Sequence, residues 1–108
     1  MIGLVYRVQV SEPAIQDAQD YATFIKEERQ APEAARKWLD GLQEELAALR
    51  DEPAKFDVIA EAEELGFPYR SFGYHSHRVI FGVYEDENLV IVHRIYHGAR
   101  QSLEQEDL

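Results

Sequence analysis

The chain has 108 residues, 45% of them hydrophobic and 30% charged, which suits one globular domain with a modest core and excludes a fibrous or largely disordered chain. No run approaches the ~18 consecutive apolar residues of a membrane span, and the N-terminal MIGLVYRVQV lacks the layout of a signal peptide, so a cytoplasmic protein is expected. There is no cysteine, which excludes disulfides, thiolate nucleophiles and cysteine-based zinc sites, and the net charge of −10 sets most of the surface against nucleic-acid backbones.

In chain order, residues 4–11 mix β-branched and aromatic residues with polar ones and predict a strand. Ser11 is placed to cap a helix whose first turn holds Glu12 and Pro13. Ile15, Ala18, Ala22 and Ile25 then recur at helical spacing, with Tyr21 and Phe24 beside them. The pattern fades around residues 28–30. Pro32 opens a second helix with the stripe Ala35, Leu39, Leu42, Leu46 and Leu49, and Pro53 stops it. Trp38 lies beside that stripe. Gly41 in mid-helix is expected to let the two helices of this hairpin approach closely. Residues 54–68 show no clear period, and their acids Glu61 to Glu64 suit a solvated loop or a short helical turn.

Three further strands are predicted at residues 68–75, 77–84 and 89–96, the last two joined by the turn EDEN. The order β-α-α-β-β-β predicts an α+β fold. Its helical hairpin packs on one face of a mainly antiparallel four-stranded sheet, leaving the other face for function or a partner. Strict alternation puts His77, Val79, Phe81 and Val83 on the core side and Arg78 on the open side. It also puts Leu89, Ile91, His93, Ile95 and His97 together, opposite Val90, Val92, Arg94 and Tyr96.

Charge is uneven along the chain. Residues 1–68 carry 7 Lys or Arg against 15 Asp or Glu, while residues 69–100 carry 4 Arg against 3 acids and hold all four histidines. This less acidic stretch supplies the candidate site residues. Arg78 and Arg100 are expected to converge at one end of the sheet, Arg100 pairing better with Arg78 than with Arg94; Arg70, Arg94 and Tyr74 are further candidates. Each has a plainer role available: a strand arginine paired with a carboxylate or left in water, or, for His97, a hydrogen-bonded strand end. His75, His77, His93 and His97 lack zinc spacing, so neither a metal nor any other cofactor is expected. Arg, His, Tyr and Ser without a metal suit RNA cleavage, in which a base takes the 2′-hydroxyl proton and an arginine stabilises the phosphorane.

The element order and the stretch YRSFGYHSHRVIFGVYEDENLVIVHRIYHGAR resemble the RelE/ParE superfamily of bacterial type II toxin–antitoxin toxins, often called plasmid stabilisation proteins. The resemblance covers nearly the whole chain. It rests most on HRVIF, LVIVHRIY and HGAR, together with the helix PEAARKWLDGL. It implies a growth-inhibiting toxin neutralised by a cognate antitoxin protein, either as a homodimer or in a toxin–antitoxin hetero-oligomer, with no membrane association. It implies one of two outputs: ParE-like inhibition of DNA gyrase, or RelE-like cleavage of mRNA on the translating ribosome. For cleavage, Arg78 matches a transition-state arginine and Arg100 a second phosphate-contacting one, with His97 or Tyr74 standing in as the acid or base. Arg70, Tyr74, Arg78, Arg94 and Arg100 are the residues expected to touch target or antitoxin. The lysines of the ribonuclease members are missing near Tyr69 and Ser71, and the tail QSLEQEDL has neither Tyr nor His. Together with the acidic charge and the HGAR ending, this points to a ParE-like member. A non-toxic binding module that retains the fold is the third reading.

Overall fold

The computed structural model describes residues 5–98 and 103–108. Its main elements are β1 (Arg7–Val10), α1 (Glu12–Glu27), α2 (Pro32–Ala47), a four-residue α3 (Ala62–Leu65), β2 (Arg70–Tyr74), β3 (His77–Tyr84) and β4 (Leu89–His97). The sheet order is β1-β4-β3-β2. β2, β3 and β4 pair antiparallel, while β1 runs parallel to β4 because the helical hairpin carries the chain across the sheet before β2 begins.

α1 starts where β1 stops. The Ser11 hydroxyl accepts from the Ala14 amide at 3.2 Å, the N-cap bond worth about 1 kcal/mol, and donates to the His93 carbonyl at 2.8 Å. One side chain therefore ends β1, begins α1 and ties both to β4. Ala14, Ala18, Ala22 and Ile25 form the buried stripe of α1, small enough to bring its backbone close to the sheet. In α2 the buried positions are Ala35, Trp38, Leu42 and Leu46, so Trp38 rather than Leu39 enters the core. The α-helix gives way at Ala48 to a tighter turn, which seats Leu49 in the core before Pro53.

The sheet departs from strict alternation at one place. Ile80 pairs with Arg94 and Phe81 with Val92, which leaves His93 as an extra residue in β4. This bulge reverses the faces of the strand beyond it. Val90 and Val92 lie with Ile95 in the core against α1 and α2, along with Val79, Phe81 and Tyr74. The expected grouping of Ile95 and His97 with Leu89, Ile91 and His93 therefore fails at the bulge.

The second face is not open either. Ile80 and Tyr96 on that face form a second core with Ile59, Ala62, Tyr69 and Leu103. Residues 57–59 bond to the β2 edge, with the Ile59 amide donating to the Tyr69 carbonyl at 2.9 Å and the Ser71 amide to the Asp57 carbonyl at 3.2 Å. α3 follows and closes on Gly66, whose φ of 77° suits glycine at a helix C-terminus. On the other edge β1 covers β4 only as far as Val92.

Gly41 serves a purpose other than close approach of the two helices. The Tyr74 hydroxyl donates to the Trp38 carbonyl at 2.7 Å and lies where a β-carbon on residue 41 would stand, well inside contact distance. Helix propensity alone would make Gly41→Ala stabilising by about 1 kcal/mol. The overlap predicts destabilisation instead, measured by urea unfolding. In a Tyr74→Phe background the same change should become neutral or stabilising, because the remaining ring atoms sit at ordinary contact distance.

Candidate functional site

Three of the arginines expected to meet a target, Arg70, Arg78 and Arg94, are bonded to partners within the molecule while remaining partly exposed. Arg78 projects from β3 onto the second face and forms a two-pronged pair with Glu61, at 3.3 and 3.1 Å. The same carboxylate accepts from the Leu103 amide at 3.2 Å, so it joins the sheet, the α3 turn and the C-terminal segment. The bond from Arg78 is the main cause that holds the Glu61 carboxyl below its ordinary range, against the opposing effect of burial. Glu61 is thus an ionised partner at neutral pH, not a proton donor. The Arg78 side chain keeps 32% of its surface exposed.

Arg94 is more fully engaged. The bulge turns it to the second face, and its Nε and one terminal nitrogen each donate to Asp17 of α1 at 2.8 Å. Its other terminal nitrogen donates to the Asp107 carbonyl at 3.2 Å, and its guanidinium lies 4.4 Å from the centre of the Tyr96 ring. Asp17 is the leading cause that raises the Arg94 pKa. Arg70 donates to the carbonyls of Ala54 and Phe56, at 3.1 and 2.6 Å, and so fixes the chain after α2. Arg100 lies outside the described residues, so its expected convergence with Arg78 has no geometry here.

His97 and Arg78 do not share a face. His97 pairs across the strands with His77, and Arg78 with Tyr96. His97 belongs to a ring cluster on the helix side: His77 lies 5.2 Å from it, 4.2 Å from Tyr21 and 5.1 Å from Trp38 between ring centres. Tyr74 is buried in this cluster, 5.7 Å from Trp38. On the second face Tyr84 and His93 form one acid–base pair, with hydroxyl and Nε2 2.9 Å apart, while Tyr96 stands across from Arg78. Burial raises the Tyr84 pKa and lowers that of His93, which keeps both neutral at pH 7. Tyr84 stands six positions along β3 from Arg78, about 20 Å away at strand rise. Among the described residues, no group of three or more His, Asp and Glu is placed to hold a metal ion, and no helix is long and apolar enough to cross a membrane.

Glu61 and Asp17 are the residues that the sequence pattern did not single out. Glu61 sits in an acidic run that looks solvated, and Asp17 on a helix beside several other acids. The arginines show up by charge. Their partners are 17 and 77 residues away, and no local pattern links them.

A short helical hairpin laid over a sheet of one parallel and two antiparallel pairings, closed by a C-terminal segment, is also the fold of a known toxin–antitoxin protein. The described chain superposes on a chain of the crystal structure of the toxin–antitoxin complex RelBE2 from Mycobacterium tuberculosis with a TM-score of 0.61. The match spans 92% of this chain and 98% of that one, at 16% identity. No curated protein matches by sequence. The family model for the ParE toxin of the type II toxin-antitoxin system, parDE, matches residues 8–102. The chain belongs to this family, within the RelE/ParE superfamily of type II toxins.

The buried histidines set a pH dependence. Burial is the main cause that lowers the His77 pKa from its ordinary 6.5, helped by His97 and His75 and opposed by Asp17; burial also lowers His93. At His77 and His93 the unfolded chain takes up protons at a higher pH than the folded chain does, so stability falls as pH drops from about 6.5. Glu61, with a lowered pKa, begins to lose its contribution only below its ordinary 4.5. Thermal unfolding between pH 7 and 5 should show a falling Tm. The slope should flatten in His77→Phe, and an unchanged slope would show that His77 is not its source.

Proposed function

We propose that this protein is a ParE-like toxin that arrests growth by inhibiting DNA gyrase and is neutralised by a cognate antitoxin. The observation that carries the reading is the family match over residues 8–102. The internal pairing of Arg78 with Glu61 and of Arg94 with Asp17 supports it further. A ribonuclease needs an arginine free to meet the phosphorane and an acid or base within reach of the same phosphate. In this chain Arg78 is paired and His97 lies on the opposite face, an arrangement that favours a toxin acting by contact. The fold neighbour was crystallised as a toxin–antitoxin complex, which supports a protein antitoxin as the partner here.

Expression without the neighbouring antitoxin gene should arrest growth, and the purified chain should reduce gyrase supercoiling in vitro. Co-expression of the antitoxin should restore growth. The ribonuclease alternative requires mRNA cuts in a translating extract that disappear in Arg78→Ala. Normal growth together with full supercoiling and intact mRNA would leave only a non-toxic module with this fold.

A further inference from the structure

At the end of the molecule where α1 hands over to α2, an open pocket of about 430 Å³ lies away from Arg78 and Arg94. It is lined by the rings of Tyr21 and Trp38, by Arg29 and Lys37, and by His75 and Ser76 at the β2–β3 turn. Its volume falls in the range of small-molecule sites, as does its make-up of aromatic walls with a few polar groups.

Four features suit a ligand that is both planar and anionic. Arg29 and Lys37 bring two positive charges to one place on a chain of net charge −10, and neither belongs to an ion pair among the described residues. α2, 16 residues long, begins at Ala31 with no side-chain cap, and Pro32 has no amide hydrogen. Its first amides therefore lack a side-chain cap beside Ala31 and Ala34, which also line the pocket, while Glu33 in the first turn offsets part of the dipole. Trp38 is 8% exposed, and its indole N–H has no partner; neither has Nδ1 of His77, whose ring lies 5.1 Å from Trp38. Buried polar atoms left unpaired destabilise the free protein, and a ligand that supplies the missing bonds recovers that loss. Finally, His75 lines the pocket from the two-residue β2–β3 turn, where its φ of 52° is what a tight hairpin requires.

We propose that this pocket binds a small planar aromatic anion. The ring packs against Tyr21, Trp38 and His75. Its carboxylate or phosphate meets Arg29, Lys37 and the start of α2. The overall acidity disfavours a polyanion, which would carry its remaining charges over a negative surface. This site shares no residue with the Arg78–Glu61 and Arg94–Asp17 pairs, and it stands whether or not gyrase is the target.

Trp38 is the only tryptophan of the chain, so its fluorescence reports this pocket directly. The full chain is titrated with a nucleoside 5′-monophosphate, with 4-hydroxybenzoate, with ribose 5-phosphate and with inorganic phosphate. A saturable change with one of the two planar anions is expected, and the arm that gives it identifies phosphate or carboxylate as the anionic group. Affinity should fall about tenfold in Arg29→Ala/Lys37→Ala, two exposed positions whose loss should leave the far-UV spectrum unchanged. No saturable change in either planar arm would overturn the proposal. So would an equal response to inorganic phosphate or ribose 5-phosphate, undiminished affinity in the double variant, or tighter binding of an RNA oligonucleotide than of its monomer.

Discussion

The carboxylate of Asp17 decides how the two layers of this protein meet. Parallel pairing ends at Val10 and Val92, so β4 continues with one side uncovered. α1 supplies what a longer β1 would have supplied. The Asp17 carboxylate accepts from the Ile95 amide at 2.9 Å and from two nitrogens of Arg94. A strand amide and a guanidinium thus share one acid that is itself fixed to a helix. Charge-assisted bonds of this kind are stronger than neutral ones, and the pair is shielded, with about a fifth of each side chain exposed. The position of α1, the bulge at His93 and the direction of Arg94 follow as one arrangement.

That arrangement changes what the second face can be. A sheet with helices on one side only commonly leaves the other side in water. Here the turn-rich segment after α2 and the C-terminal residues close over Ile80 and Tyr96. The closing segment is pinned at its two ends, by Glu61 at Leu103 and by Arg94 at Asp107. Arg78 and Arg94, which look like target contacts in the sequence, help to fasten this cover, through Glu61 and through the Asp107 carbonyl.

The sequence made the strands and helices legible where a period runs unbroken. β3 falls on residues 77–84 as the alternation predicted, and Ala18, Ala22 and Ile25 of α1 are buried as their spacing predicted, with Ala14 in the core in place of the exposed Ile15. Legibility failed where a period slips. A bulge adds one residue without a glycine or proline to mark it, so the faces of β4 could be read only as far as His93. Residues 54–68 form turns of three or four residues, too short for any periodicity to register. Gly66 was the one local signal there, as the glycine that closes α3. At the site, the cations were visible by composition, whereas Glu61 and Asp17 become partners only through the tertiary fold. Gly41 shows a further limit: a mid-helix glycine announces a close approach but not which neighbour makes it. The answer was a tyrosine from β2, not the facing helix.

The filling of the β4 edge by α1, and of the β2 edge by residues 57–59, bears on how this chain behaves in company. Exposed strand edges are templates on which chains extend one another's sheets and then aggregate. Here both outer strands are short: β1 has four residues and carries the charged Arg7, and β2 has five, the first of them already bonded to residues 57–59. An incoming strand would find few backbone groups to pair with. Self-association of this acidic protein therefore has to recruit side-chain surfaces, which sequence change can tune, and not the backbone, which it cannot.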